Sequence, residues 1–104
     1  MSSESSTKVV ALTTDVMDRS KISRGIPGVS FSLTGDADVV VVDLAKGVDQ
    51  VRAVRSTHPA ARIVAYGPHV DDQSMDAARA AGADVVLPRS RFFRDPSASV
   101  LAAL

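Results

Sequence analysis

The chain alternates between runs of consecutive apolar residues and stretches with helical spacing. The runs are Lys8-Val9-Val10-Ala11-Leu12-Thr13, Val39-Val40-Val41-Val42, Arg62-Ile63-Val64-Ala65-Tyr66 and Ala83-Asp84-Val85-Val86-Leu87. The clearest is the valine run, preceded by Asp38 and followed by Asp43. None of them alternates polar with apolar. Continuous β-branched runs mark strands buried on both faces, as in parallel sheets.

Helices fit between the runs. Val48, Val51 and Val54 recur every third residue, with Ala53 beside them, and Pro59 ends that helix. Asp71 or Asp72 is a cap for the next, Met75, Ala78 and Ala81 line its inner face, and Gly82 suits a left-handed residue past its end. Asp95-Pro96 is a cap followed by proline at the first helical position, so Ser97 to Leu104 starts a last helix. A short first helix runs from Val16 to Arg24, closed by Gly25 and Pro27. Strands alternating with helices predict βαβ units and a mainly parallel sheet of four or five strands. Val29 to Leu33 also reads as a strand, yet only Thr34-Gly35-Asp36-Ala37 separates it from the valine run. Four residues reach at most about 14 Å, and a parallel crossover needs about a dozen residues or more. No helix fits there; the segment is a short edge strand, an antiparallel piece or a loop.

Composition bounds what this domain does. The 104 residues suffice for one domain, residues 8–104, behind a Ser-rich tail at 1–7 that is expected to be flexible. Twelve basic and twelve acidic residues cancel, so no long-range field draws in nucleic acid or an anionic membrane. The absence of cysteine excludes disulfides, thiolate zinc sites and thiol nucleophiles. No apolar run approaches the roughly 18 residues of a membrane span, and the tail lacks the order of a signal peptide. Cytoplasmic placement is the expectation. There is no Gly-x-Gly-x-x-Gly, no Walker loop and no Gly-x-Ser-x-Gly elbow, and the two histidines lack a partnering carboxylate pattern for a metal.

Two passages carry a family resemblance. Ala80-Ala81-Gly82-Ala83-Asp84-Val85-Val86-Leu87-Pro88-Arg89 resembles the last helix-to-strand passage of response-regulator receiver domains, where Ala-Gly-Ala-Asp precedes an apolar strand and Lys-Pro. Asp38-Val39-Val40-Val41-Val42-Asp43-Leu44 resembles the receiver's central strand, which ends in the phosphoacceptor aspartate. Thr14-Asp15 stands where the family carries adjacent acids. The likeness spans Lys8 to Phe93 and implies a flavodoxin-like, three-layer αβα sandwich, here shortened by the loss of its second helix.

The resemblance also implies a chemistry. An aspartate attacks phosphorus, neighbouring acids hold Mg²⁺, and a hydroxyl and a lysine hold the new phosphate. On this chain Asp43 is the acceptor and Asp15 one acid, the two forming the metal site of that reading. The other acid is replaced by Thr14, the hydroxyl by Gly67 and the lysine by Arg89, which is bulkier and planar. Independently of the family, ligands of open α/β sheets bind beyond the carboxyl ends of strands. Asp15, Asp43, Gly67 and Arg89 all lie at such ends, so the two carboxylates are expected to share one shallow mouth.

Each of these residues also has a plainer role. Asp43 can end its strand and cap the helix near Val48, Asp15 can cap the first helix, and Arg89 can be a solvated charge or pair with Asp43. His69 is a loop histidine beside Gly67-Pro68 that could act as a phosphodonor or a pH-sensitive contact. In Arg89-Ser90-Arg91-Phe92-Phe93-Arg94 the phenylalanines are core anchors with a basic rim, or a partner surface.

With so much of the apparatus replaced, the leading reading is a non-catalytic, receiver-like signalling module, a pseudo-receiver that needs no cofactor. Its contact surface is the rim of Thr14, Asp15, Asp43, Tyr66, His69 and Arg89, or Phe92 and Phe93. The alternatives are a true phosphoacceptor using Mg²⁺ and Asp43, with Arg89 on the phosphate, and a small-anion-binding domain. A missing second helix would uncover one sheet face beside Val9 to Leu12 and Val39 to Val42. The cover expected is Ile26 to Leu33, a partner protein or a second copy, and a homodimer is the expectation.

Overall fold

A computed structural model of the chain describes residues 7–68 and 72–104. The expected tail, except Thr7, and His69 lie outside the described residues. Four strands form one parallel sheet in the order β1 (Val9–Leu12), β2 (Val39–Asp43), β3 (Arg62–Gly67), β4 (Val85–Pro88). The helices are α1 (Val16–Gly25), α2 (Asp49–Thr57), α3 (Asp72–Ala81), α4 (Arg89–Arg94) and α5 (Pro96–Leu101). The valine run is buried along its length because the strand alternates between two cores. Val39 and Val41 join Ile22, Tyr66, Phe92 and Val100 beneath α1, α4 and α5. Val40 and Val42 join Val51, Val54, Ile63 and Ala78 beneath α2 and α3.

The segment that resisted assignment is an edge strand reduced to one residue. Ser30 pairs in parallel with Val10, donating its amide to the Val9 carbonyl at 3.0 Å and accepting from Ala11 at 2.8 Å. It sits on the side of β1 away from β2. Because a single residue makes this pairing, Phe31 to Asp38 are free to return as an extended crossover without a helix. That return covers the sheet. Leu33 and Ala37 pack on the second core, and Val10, Val40 and Val42 are fully buried within the one chain. Of the three covers expected for this face, the chain's own segment is the one seen, with Leu33 on the second core. His58 fastens the return by a 2.8 Å contact to the Gly35 carbonyl, and Asp38 accepts from the Lys8 amide at 2.7 Å.

One guanidinium ties the second face together. Arg55 donates to the carbonyls of Gly82, Pro59 and Ala61 and to the Asp84 carboxylate, at 2.7–3.1 Å. Gly82 has φ +122°, and a Cβ there would come within 2.9 Å of the Arg55 side chain. The glycine thus serves both the left-handed turn and the close approach of Arg55. Lysine lacks the planar fork that reaches several acceptors at once. Arg55→Lys is expected to lower stability by about 1.5–3 kcal/mol, the range for hydrogen bonds to a charged group, measured by urea denaturation.

Candidate functional site

The carboxyl ends of β1 and β2 open onto a cleft of about 300 Å³ lined by Leu12, Thr13, Thr14, Arg19, Phe31, Asp43, Ala45 and Gln50. Parallel pairing of the two strands puts Leu12 level with Val42, so the residues just past them, Thr13 and Asp43, meet at the mouth. The Thr13 hydroxyl donates to Asp43 Oδ2 at 3.2 Å, and the Ala45 amide donates to Asp43 Oδ1 at 2.9 Å. Asp43 therefore caps the 3-10 turn Leu44–Lys46 and not α2, whose preceding residue Val48 makes no side-chain cap. Arg19 donates to the Thr13 carbonyl at 2.7 Å and lies over the Phe31 ring.

Asp15 does not line this cleft. Its Oδ1 accepts the Met17 and Asp18 amides at 2.9 and 3.0 Å, where it caps α1. Its backbone amide donates to the Thr13 hydroxyl, so the residue that faces Asp43 is Thr13, two positions earlier in the chain. The expected pair of carboxylates at one mouth is thus corrected: Asp43 is there and Asp15 is committed to the helix. Thr14 is exposed and does line the cleft, as expected.

The hydrogen-bonded partner of Arg89 is Asp18, not Asp43. The guanidinium makes a two-pronged ion pair with Asp18 on α1, through Nη1 at 2.7 Å and through Nη2 to the other carboxylate oxygen. Tyr66 donates its hydroxyl to Asp18 Oδ2 at 3.0 Å. The Asp18 side chain is 1% exposed and that of Arg89 38%. Arg89 hydrogen bonds hold the Asp18 carboxyl below its ordinary pKa, against desolvation acting the other way, with Tyr66 assisting. Asp18 also occupies the first turn of α1, where the helix dipole favours an anion. Burial pushes the Tyr66 phenol upward, so it remains a donor at neutral pH. Among the described residues every buried polar side-chain atom has a partner, so this network is satisfied.

The aromatic residues expected at the rim are mostly core. Tyr66 and Phe92 are both 0% exposed and stack at 4.8 Å with rings 10° from parallel. Phe93 is half-buried and meets both edge-on. Arg89 and Lys21 lie over its ring at 4.9 and 5.5 Å. Tyr66 is also the register partner of Asp43, whereas Gly67 pairs with Pro88 and packs beneath Leu44. The hydroxyl-bearing residue level with Asp43 is therefore Tyr66, not the position of Gly67.

Sequence reasoning missed Asp18. It lies three residues past the Asp15 cap and four before Ile22, on the buried stripe of α1. That spacing was the available signal, and an acid on an inward stripe calls for a cation from elsewhere in the chain.

Neither a protein-family model nor a curated protein matches the chain significantly. Solved structures do. The BeF3-activated receiver domain of DrrB from Thermotoga maritima superposes with a TM-score of 0.77 at 19% identity, over 92% of this chain and 95% of that one. A response regulator from Burkholderia pseudomallei, with a phosphorylated aspartic acid, gives 0.76 at 17% identity, over 95% and 66%. A LuxR-family two-component response regulator from Aurantimonas sp. SI85-9A1 gives 0.75 at 21%, over 94% and 84%. The chain has the receiver fold. At these identities the likeness establishes the architecture, and the side chains must speak for the chemistry.

Within that receiver fold, Asp43 is the residue on the cleft that would hold Mg²⁺. The cation binds through one or two carboxylates while keeping several waters. Among the described residues Asp43 is the one carboxylate lining the cleft, both its oxygens accept hydrogen bonds, and Arg19 brings a positive charge to the same cleft. Among the described residues no three His, Cys, Asp or Glu side chains gather as a metal site. Also among the described residues, no helix of this receiver fold is long and apolar enough to cross a membrane.

Proposed function

We propose that this receiver-fold domain is a non-catalytic signalling module that works by protein contact and does not transfer a phosphoryl group. The observation that carries this reading is the partner of Arg89, which is Asp18 and not the acceptor-position Asp43. In the phosphoacceptor chemistry that the fold suggests, the cation at the end of the last strand holds the new phosphate beside the acceptor. Here that cation is clamped on a buried carboxylate of α1 and stacked on aromatic rings. Releasing it would strand Asp18 without its cation, which is costly in an apolar setting. Thr13 and Thr14, neutral at the mouth, add no charge to draw a divalent ion.

The test is direct. The domain is incubated with Mg²⁺ and acetyl phosphate, and separately with beryllofluoride, and followed by intact mass and thermal melting. The expected result is no mass increase and no change in melting temperature. A stoichiometric adduct that disappears in Asp43→Asn would overturn the proposal and make Asp43 a working phosphoacceptor. A melting shift with inorganic phosphate but no covalent adduct would instead favour an anion-binding domain.

A further inference from the structure

The charges of this neutral chain are unevenly paired. Arg52, Arg55, Arg62 and Arg79, on or beside α2, α3 and β3, each pair with an aspartate. On the opposite side, α1 carries Lys21 and Arg24 and α4 carries Arg91 and Arg94, all exposed. Among the described residues none of these four has a carboxylate partner. Lys21 lies over Phe93, and Arg24 has only a 3.4 Å contact to Ser20. The acid of α1 nearest to them, Asp18, is buried and taken by Arg89. Residues three apart on a helix share a face, so each helix offers a pair of cations. The Lys21–Phe93 and Asp18–Arg89 contacts link the two helices.

We propose that the α1–α4 face is a docking surface for an acidic segment of a partner protein. This rests on the protein-contact reading and names the chemistry of the partner. Charge complementarity selects an anion. Two further features select protein over nucleic acid. The aromatic rings that could stack on bases are already covered, Phe93 by Lys21 and Arg89 and Phe31 by Arg19. The zero net charge also removes the long-range attraction on which phosphate-backbone binding depends. A bilayer is disfavoured because the exposed apolar residues of α1 are confined to its first two positions, Val16 and Met17, while Ile22 is buried in the core, so the helix has no continuous apolar face to insert. What remains is a short-range surface of fixed cations around a half-buried phenylalanine, suited to carboxylates spaced along a peptide.

The probe is a fluorescein-labelled 12-residue peptide of alternating glutamate and leucine, titrated with the full chain at low salt and then at physiological salt. Amide chemical shifts of the ¹⁵N-labelled protein are followed in parallel. Binding is expected to weaken with salt and to perturb residues 20–24 and 90–94. It should fall at least about tenfold in the Lys21→Glu/Arg24→Glu/Arg91→Glu/Arg94→Glu variant, since several surface pairs are lost together. The Arg52→Glu/Arg79→Glu variant should bind as the parent does, whereas Arg91→Glu/Arg94→Glu, with the same number of reversals, should bind more weakly. Circular dichroism melts confirm that the variants are folded, and if the fourfold variant is not, the Arg91→Gln/Arg94→Gln pair is used with an intermediate loss expected. Shifts confined to other residues, equal binding by the fourfold variant, or tighter binding of oligo-dT or of vesicles rich in phosphatidylserine would each overturn the proposal. An adduct on Asp43 would end the non-phosphorylating reading yet leave this charge-dependent binding in place, so the two failures are separable.

Discussion

Arg89→Met is expected to reverse the sign of the pH dependence contributed by the buried pair while lowering stability by about 3 kcal/mol at neutral pH, the lower end for breaking a buried ion pair. The lower end applies because Asp18 keeps the Tyr66 hydroxyl and the field of Lys21. In the native protein the Asp18 carboxyl is held below its ordinary 3.8. A group with a depressed folded pKa contributes stability that is complete above the unfolded value and is lost as pH falls through the folded one. Above about pH 5 the native pair therefore adds almost no slope. Without the guanidinium, burial dominates and drives the Asp18 pKa above the unfolded value. The contribution then runs the other way: the variant gains relative stability as the pH is lowered toward 3.8, and loses it as the pH rises. Urea denaturation between pH 4 and 7 measures both slopes. A variant whose curve stays parallel to the parent over that range would show that Arg89 does not stabilise the Asp18 charge. The asymmetry of burial gives a second check. Asp18→Asn leaves a guanidinium 38% exposed, which water can solvate. It should cost less than Arg89→Met, and the double variant Asp18→Asn/Arg89→Met should be more stable than Arg89→Met alone, because the uncompensated charge is gone.

The same pair marks the boundary of what the sequence could reveal. Strands buried on both faces announce themselves through unbroken β-branched runs, and these four did. Proline and glycine punctuation located the helix ends at Gly25, Pro59 and Gly82, and the shortness of the 34–37 stretch already excluded a helix before β2. The site was less legible because its geometry depends on which neighbour a side chain chooses. Asp15 and Asp18 are both acids at the start of α1, and only the cap geometry decides that one closes the helix while the other turns inward. Arg89 was recognised as the cation ending β4, but its partner lies 71 residues away on a helix, a pairing that no local pattern encodes. Tyr66 and Gly67 are adjacent, so a shift of one residue exchanged which is level with Asp43. Strand register carries that kind of error directly into the chemistry, because successive side chains point to opposite faces. Ser30 shows the complementary case. A one-residue bridge has no periodicity to detect, and it is only the hydrogen bonds to Val9 and Ala11 that identify the edge.

Phe92→Ala is expected to lower stability by about 3–5 kcal/mol, the range for removing a fully buried aromatic ring. For a domain of this size that is a fall in melting temperature on the order of 12 °C or more, at about 4–8 °C per kcal/mol. The reason lies in what the ring supports. Phe92 is stacked on Tyr66, and Tyr66 donates to Asp18, which holds Arg89. A cavity beneath the phenol removes its dispersion partner and loosens the hydroxyl that shares the Asp18 charge. Phe92→Leu keeps most of the volume but not the stacking, worth about 0.5–1.5 kcal/mol, and should fall between alanine and the parent. Phe93→Ala should cost only about 1 kcal/mol, because a half-buried ring gains roughly half the transfer free energy of a buried one. The contrast separates the two roles proposed for this dipeptide. If Phe92 instead belonged to a partner surface, its removal would leave the melting temperature of the isolated chain nearly unchanged. If Phe93 were the core anchor, the order of the two alanine variants would invert. Calorimetry on the three variants decides between these outcomes. The order expected from the packing makes Phe92 the support of the Asp18–Arg89 clamp and leaves Phe93, covered by Lys21 and Arg89, as the seat of cations that face a partner.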